Sequence, residues 1–290
     1  MAREEIWLSS QWFMDKFIAF IDILGFSDLV QQRESEGNAN FDDLLELTKK
    51  LGTQADRERF AQHGPAMCPG SKYISRDLAF CITQISDCVV VSAEVSPAAL
   101  INLCQHCFRV SIDLLVAGHL CRGYITRGNV FHSASQFFGT GYQRAVEGEK
   151  SVSVFQTDDL DRGTPFIQID RSVCDYVQTS GDRCVQDMFG RMTESDCTAL
   201  AISPFPSLKN IPSTLIDDHF DPNKFKASVA RSRDNIIQLL IQLDRYESTA
   251  TEKARRKIEH YRRKLTEVLE TKKREYEQME KLAAQISTRR

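Results

Sequence analysis

The sequence predicts a mixed α/β fold, an α+β sandwich in which helices pack on a sheet, followed by a C-terminal helical hairpin or coiled-coil arm. Two apolar runs rich in β-branched residues, Phe17–Phe26 and Ala79–Ala93, are typical of buried strands. After the second run comes a long stretch of helical apolar spacing, which Ser96 and Pro97 open and Gly118 ends. Strands and helices are therefore expected to alternate along the chain.

The first apolar run is interrupted once, by the carboxylate of Asp22. Alternate residues of a strand face opposite sides, so Phe20 and Asp22 are expected to share one face. A buried, ionised carboxylate is costly unless it is paired, hydrogen-bonded or bound to a metal. Two interpretations follow: Asp22 is a core residue that caps a turn, or it is a metal ligand at the end of a strand.

The second apolar run is interrupted in the same way, by Asp87. If the two runs pair as neighbouring strands, Asp22 and Asp87 lie side by side. Two divalent ions about 3.5–4 Å apart, held by shared carboxylates, are a recurring arrangement for in-line phosphoryl displacement. Mg²⁺ and Mn²⁺ both favour such oxygen ligands. The pair of aspartates therefore favours the metal-site interpretation.

Three short motifs carry a resemblance to a known family: FIDILGFS around Asp22, ISDCVVVS around Asp87, and RGYITRGNVF further on. Together they resemble the class III nucleotidyl cyclases, and more narrowly the bacterial pyrimidine cyclases of Pycsar anti-phage systems. The resemblance covers about residues 15–155. It implies a class III cyclase-like sheet with helices packed on it.

The resemblance also implies a set of ligands. Asp22 and Asp87 would each bind both of two Mn²⁺ or Mg²⁺ ions, and the main-chain carbonyl of Ile23 would add a ligand. The turn that follows would lie against the triphosphate; it comprises Gly25, Phe26 and Ser27. The family further implies a homodimer with composite active sites. Its product would be read by a separate cyclic-nucleotide effector in phage defence.

Some positions depart from the purine-specific members of the family. Their base-reading Lys, four residues before the second Asp, is Thr83 here, which argues against adenine. The places of their Asn-x-x-x-Arg motif hold Gln143 and Glu147, so the transition-state Arg is missing there. Arg144 is the candidate chosen to replace it. Arg122 and Arg127 are the other candidates, each also explicable as an ordinary strand residue.

These departures set the expected substrate. Phe20 is interpreted as a wall of the base pocket that leaves room for a pyrimidine, or alternatively as a plain core residue. The expected reaction converts UTP to 3′,5′-cyclic UMP and pyrophosphate, with Thr83 among the substrate-binding residues. CTP, giving cyclic CMP, stays open as the substrate. A catalytically inactive, cyclase-fold nucleotide-binding module is the second alternative.

Charge argues against a general nucleic-acid binder. The formal net charge is −3, but residues 251–290 hold thirteen Lys or Arg and seven Glu, giving +6 and leaving −9 for residues 1–250. Such an acidic body is unlike a nucleic-acid-binding domain. The basic arm is interpreted as a solvated helix face, and a nucleic-acid adaptor acting through the arm is the less favoured alternative.

The sequence also predicts a cytoplasmic protein. The first residues show no apolar core of a secretory signal, and no apolar run approaches the roughly 18 residues of a membrane span. Nine cysteines, an odd number, indicate reduced thiols. Cys104 and Cys107 form a CxxC motif. Because further zinc ligands at suitable spacing are missing, both are interpreted as small apolar residues of a helix.

We expect three parts along the chain. Residues 1–170 form the cyclase catalytic domain, 171–222 an irregular family-specific extension, and 223–290 the helical arm. Within the first part, Gln54–Ile74 is expected to be a long loop over the site. Val152–Gln156 is expected to form a strand.

Overall fold

The computed structural model describes residues 12–35, 41–52, 79–133, 135–158, 161, 163–203 and 222–287. The chain divides into two compact units, Met1–Pro204 and Phe205–Arg290. In unit 1 the elements are β1 (Met14–Ile23), α1 (Phe26–Ser35), α2 (Asp42–Lys49), β2 (Phe80–Ile85), β3 (Cys88–Glu94), α3 (Pro97–Val116), β4 (Cys121–His132), β5 (Phe137–Phe138), α4 (Thr140–Lys150), β6 (Ile167–Ile169), α5 (Arg171–Thr179), α6 (Arg183–Met192), β7 (Thr193–Ser195) and β8 (Leu200–Ile202). Unit 2 contains α7 (Pro222–Thr249) and α8 (Glu252–Ser287).

The described strands of unit 1 form one open, mixed sheet in the order β2-β3-β1-β4-β6-β8-β7, and β5 pairs with β4. The pairs among β1, β2, β3 and β4 are all antiparallel, whereas β6 runs parallel to β4. From β1 to β4 the chain follows the order β-α-α-β-β-α-β, and β1 lies between β3 and β4. Apart from the second helix, this is the recognised β-α-β-β-α-β arrangement. The mixed α/β class expected from the sequence is confirmed.

Both faces of β1 are covered, which explains its nearly continuous apolar sequence. On one face Phe17, Ala19 and Ile21 join a core that includes residues of α3, α5 and α6. On the other face Ile18 packs with Ala145 of α4. Asp22 belongs to this second face, because its side chain alternates with those of the first.

The structure of residues 171–203 differs from the irregular extension that was expected there. Arg171–Ser203, expected to be irregular, forms two helices and two strands that complete the sheet of unit 1. Val152–Gln156 is a series of turns rather than a strand, and the Ser153 and Val154 amides donate to the Gln168 side chain. The expected loop Gln54–Ile74 lies outside the described residues, as does 204–221.

Helix α3 passes beneath the sheet as part of the core. It is the one helix of the described residues that has the length and apolar composition to cross a membrane, although no such segment was expected from the sequence. Two-thirds of the qualifying window is buried inside the protein (67%). Cys104 and Cys107 lie fully buried on this helix within the apolar core, in keeping with their interpretation as small apolar residues.

Unit 2 consists, in its described part, of the two long helices α7 and α8, which pack on each other. Ile236 and Leu243 of α7 are buried, as are Ile258 and Leu265 of α8. Arg262 ties the helices together through ion pairs with Asp244 and Glu247 of α7. Part of the basic charge of α8 is therefore neutralised within the unit.

Candidate active site

The two aspartates predicted to be metal ligands lie at the same end of neighbouring strands. Asp22, the last residue but one of β1, pairs with Cys88, the first residue of β3. Asp87 precedes Cys88 in the β2–β3 turn, where Ser86 adopts a left-handed conformation with φ +53°. The Ile23 amide donates to the Asp87 carbonyl over 3.0 Å. Asp22 and Asp87 are thus brought together by strand pairing.

The same pairing places the main chain of Ile23 beside Asp87. The N–H and C=O of one strand residue point toward the same neighbouring strand, so the Ile23 carbonyl faces the β2–β3 turn. The Ile23 side chain is buried in the core and cannot contribute. Only the carbonyl can therefore act as the ligand that the family resemblance implies.

Asp22 is partly buried and lies near two other carboxylates. Its pKa is raised from 3.8 to about 7, first by burial, then by the charges of Asp87 and Glu149, with Arg122 acting in the opposite direction. An ionised carboxylate in this position is destabilised unless a cation approaches it. The position therefore favours either a proton or a metal ion on Asp22.

Glu149 and Arg122 form an ion pair at this site. Glu149 lies in the last turn of α4 and Arg122 is the second residue of β4, directly opposite Asp22 across the β1–β4 pair. Their side chains are 5% and 19% exposed, and the Arg122 Nε and Nη2 both approach Glu149 Oε1. Sequence reasoning named Arg122 but missed Glu149, because only packing shows that this residue of an otherwise polar helix segment points inward.

Cys88 also lies beside Asp22, as its partner in the β1–β3 pair. Burial, followed by the charges of Asp22, Asp87 and Glu149, raises the pKa of its thiol to about 11. The thiol donates to the Ile85 carbonyl over 3.2 Å. In the metal-free protein Cys88 is therefore a neutral thiol at physiological pH.

The turn after β1 leads directly into α1. Gly25 has φ +78°, a conformation that favours glycine, and Ser27 is exposed in the first turn of the helix. The first turn of a helix offers backbone N–H groups to an anion. Phe26, however, is buried in the core, so only its backbone can contribute to the predicted triphosphate contact.

The two residues predicted to face the base lie further along the same sheet face. Phe20 pairs with Val90 and Val90 with Thr83, so the three residues form one cross-strand row, two positions from Asp22 along β1. Phe20 packs edge-on against Tyr142 of α4, with ring centroids 6.4 Å apart. The Thr83 hydroxyl donates to the Ser133 carbonyl over 3.2 Å.

Arg144, by contrast, is not brought to the carboxylate pair within the chain. Its Nη1 donates to the Arg127 carbonyl over 2.9 Å, and Arg127 pairs with Phe17, at the other end of β1. Asp22 lies five residue steps along β1 from Phe17, roughly 16 Å at about 3.3 Å per residue. Arg127 points to the opposite face, where it contacts Tyr176. Arg122 is therefore the candidate arginine that the fold places beside Asp22.

The donor set at this site suits a hard divalent cation. Asp22 and Asp87 offer carboxylate oxygens and Ile23 a carbonyl, which are ligands that Mg²⁺ and Mn²⁺ prefer. Burial, followed by the charges of Asp87 and Glu149, raises the pKa of Asp22, and a bound cation would favour its ionised form. No group of three or more His, Cys, Asp or Glu with metal-binding geometry occurs in the described ranges. The fit therefore rests on two carboxylates and the main chain.

The fold and the site together define a mixed α/β protein with a carboxylate pair at the end of its central strand. In comparisons with known proteins, no family model matches the sequence and no curated protein matches it significantly.

Proposed function

We propose that this protein is a nucleotidyl cyclase of the class III type, which converts a pyrimidine nucleoside triphosphate to its 3′,5′-cyclic monophosphate and pyrophosphate. The observation that carries the proposal is the convergence of Asp22 and Asp87 at adjoining strand ends, next to the start of α1. UTP is the favoured substrate and CTP the alternative. The enzyme would be a phosphorus–oxygen lyase.

The arrangement of strands supports this proposal. β1 is central, with β3 and β4 on either side. Both carboxylates lie at the same end of the β1–β3 pair, where the motifs FIDILGFS and ISDCVVVS also meet. Helix α4 covers the neighbouring part of the same face. This end of the strands thus offers carboxylates for metal ions. The sheet face beside it, next to α4, offers a surface for the rest of the nucleotide.

The chemistry is an intramolecular displacement at phosphorus. The ribose 3′-oxygen forms a bond to the α-phosphorus, the bond from that phosphorus to the bridging oxygen of the β-phosphate breaks, and the hydroxyl proton passes to solvent water. When bound, two Mn²⁺ or Mg²⁺ ions supply a lowered pKa of the 3′-hydroxyl and neutralise charge on the leaving pyrophosphate. Asp22, Asp87 and the Ile23 carbonyl would hold these ions.

The protein's other groups would orient the nucleotide. Backbone N–H groups of Gly25, Phe26 and Ser27 would receive the phosphate chain at the start of α1. Phe20 and Thr83, on the same face as Asp22, would contact the base. The Phe20 ring is held by Tyr142, so it would restrict the pocket to a small base.

The wider biology follows from the family resemblance and is part of the same proposal. The protein would act in the cytoplasm as a homodimer with composite active sites, without membrane or nucleic-acid contact. Its cyclic nucleotide would be read by a separate effector in antiviral defence.

The decisive experiment is incubation of the purified chain with Mn²⁺ and, separately, ATP, GTP, CTP and UTP. We expect cyclic UMP from UTP as the main product, identified by mass spectrometry together with pyrophosphate. Predominant cyclic CMP would move the assignment to the alternative substrate. The absence of a cyclic product from all four nucleotides would contradict the enzyme proposal.

A second candidate function is a cyclase-fold module that binds nucleotide without turning it over. The position of Arg144 favours it, because this arginine bonds to the Arg127 carbonyl at the far end of β1 rather than lying at the carboxylate pair. Gln143 and Glu147 also stand where purine cyclases carry their Asn and Arg. Tight UTP binding by calorimetry, with no product in the four-nucleotide assay, would establish this function instead.

A further inference from the structure

Helix α7 is apolar on more than one side. Its middle segment, Ile236–Leu243, reads IIQLLIQL and is apolar at six of eight positions. A helix that is hydrophobic all round is normally buried all round. Ile236 and Leu243 are buried, but Ile237 and Ile241 are each 38% exposed. This segment of α7 therefore has a second apolar face, which is open to solvent.

The second face forms a ridge along α7. Residues three or four apart in a helix are neighbours on its surface, so Ile237 and Ile241 lie side by side. Asp234 comes one turn before them and Arg245 one turn after, and both are exposed. We call these four residues the α7 ridge. In chain order the ridge is acidic, apolar, apolar and basic.

This order makes the ridge complementary to a second copy of itself. In an antiparallel pair, Asp234 of each copy meets Arg245 of the other, and Ile237 meets Ile241. In a parallel pair each charge would meet its own like, which is unfavourable. Charges beside an apolar seam commonly set the orientation of paired helices. The pattern therefore favours a two-fold, antiparallel contact in which both copies use the same surface.

Contacts within unit 2 leave the acidic end of the ridge available. The Asp234 side chain is 63% exposed, and its ion pair with the adjacent Arg233 spans 3.3 Å. An ion pair at this exposure contributes little, so it competes weakly with a partner from another chain. The apolar pair would supply most of the affinity, and the charges would set the orientation. Since the ridge is small, we expect a dissociation constant on the order of 10 µM.

We propose that the α7 ridge is a contact between two copies of this chain, which pair antiparallel through Ile237 and Ile241 with Asp234 and Arg245 as flanking charge pairs. The contact lies within unit 2 alone. It goes beyond the proposed function and does not depend on it.

The first test is sedimentation equilibrium of the full chain, over concentrations that bracket the expected dissociation constant. Ile237→Gln/Ile241→Gln removes the apolar area with a residue that favours helices, so the fold should be kept. We expect the association constant to fall by about tenfold or more, since the apolar contact is lost. Ser228→Gln/Asn235→Gln, at exposed positions of α7 outside the ridge, is the matched control and should associate as the wild type does.

The second test reverses the charges. Asp234→Arg and Arg245→Asp each place like charges opposite one another in the antiparallel pair, so each should weaken association by about tenfold. The double variant Asp234→Arg/Arg245→Asp makes the charges complementary again and should recover most of the wild-type association constant. A parallel pair would show neither the loss nor the recovery, because like charges face each other in it from the start.

Three results would each overturn the inference: a wild type that stays monomeric throughout the range, wild-type association in Ile237→Gln/Ile241→Gln, or single reversals whose loss the double variant does not recover. The comparison isolates the ridge even if unit 1 also pairs two chains, because every substitution lies in α7. Far-ultraviolet circular dichroism and thermal melting of each variant establish that the fold is kept.

The outcomes also separate this inference from the proposed function. A chain that associates through the ridge but cyclises no nucleotide would leave the inference standing and remove the enzyme. A chain that makes cyclic UMP but whose association is insensitive to the ridge variants would do the reverse.

Discussion

Asp22 and Cys88 are cross-strand partners in the β1–β3 pair, and this register places Asp87 against the end of β1. The Ile23 amide closes the arrangement by donating to the Asp87 carbonyl. Two carboxylates from separate segments of the chain are thereby held at the same end of β1 and β3 by backbone hydrogen bonds. The following predictions depend on this register.

Removal of either carboxylate should abolish turnover. For Asp22→Asn and Asp87→Asn we expect kcat/KM for cyclic UMP formation to fall by at least about 100-fold, because each side chain would hold both ions. Product formation in Mn²⁺ provides the measurement. Asp15→Asn, which removes an exposed partner of Arg127, is the control and should retain activity. A full rate in either site variant would exclude the two-metal arrangement.

In the absence of metal, Asp22 should lower the stability of the fold at neutral and alkaline pH. Its folded-state pKa of about 7 lies above the unfolded value of 3.8, so the folded protein holds a proton that the unfolded chain releases. The resulting loss of folding stability is absent below about pH 4, grows as the pH rises, and is complete above about pH 7. Asp22→Asn should therefore unfold at higher temperature than the wild type at pH 8, with a gain on the order of 1–4 kcal/mol.

The corresponding measurement is thermal unfolding in EDTA at pH 5 and pH 8. The advantage of Asp22→Asn over the wild type should be larger at pH 8. A variant that is less stable than the wild type at pH 8 would show that the Asp22 charge is compensated within the protein, contrary to its environment in the structure.

Divalent cations should restore the folding stability that is lost when Asp22 is ionised. A ligand that binds only the folded state stabilises it by RT ln(1 + [L]/Kd), or about 2.7 kcal/mol at 100 times Kd. We expect Mn²⁺ to raise the melting temperature of the wild type but not that of Asp22→Asn or Asp87→Asn. Differential scanning fluorimetry with and without Mn²⁺ tests this. Equal shifts in all three proteins would place the bound cation elsewhere.

Gly148 is predicted to be essential for the position of Glu149. A Cβ added at Gly148 would lie 2.3 Å from Cδ1 of Tyr124, whose hydroxyl is fixed by a hydrogen bond to Asp170 of 2.9 Å. Gly148→Ala should therefore displace the last turn of α4, lowering stability by about 1–3 kcal/mol and reducing cyclase activity. Urea unfolding and the cyclase assay provide the two measurements.

The matched control for this variant is Gly190→Ala in α6, where an added Cβ meets nothing within 4 Å. That substitution should stabilise the protein by about 0.5–1 kcal/mol, because alanine is the better helix former. If Gly148→Ala behaved like Gly190→Ala, the close packing of α4 on Tyr124 would be disproved.

Local patterns in the sequence were sufficient to locate the strand that carries Asp22 and the helix that begins after Ser96, since buried strands are continuously apolar and Ser96 is a strong helix N-cap. The second apolar run, Ala79–Ala93, was expected to be one strand, but it forms the two strands β2 and β3, and Asp87 lies in the turn between them. The Ser96 side chain does accept from the Ala99 amide in the structure. The segment Arg171–Ser203 could not be recognised in the same way. Its two strands are three residues long; β8 pairs with β6 and β7 pairs with β8, so no local periodicity marks them.

The residues of the candidate site, too, could be predicted only in part from the sequence. A lone aspartate within each apolar run is visible in the sequence, because burying a charge breaks an obvious pattern. Arg144 was preferred to Arg122 on the sequence alone, since a sequence does not show that Arg144 bonds to the Arg127 carbonyl and that Arg122 stands opposite Asp22. Phe26 was likewise placed at the ligand although its side chain enters the core.

The sequence by itself determined the mixed α/β class, the positions of Asp22 and Asp87, and the turn at Gly25, because these follow from hydrophobic burial and backbone conformation within short segments. Only the tertiary structure decided that the β1–β3 register brings the two aspartates together and that Glu149 reaches inward to hold Arg122. The physical reason is that strand pairing and helix packing join residues far apart in the chain, and such contacts depend on the shape of the whole core rather than on any local pattern.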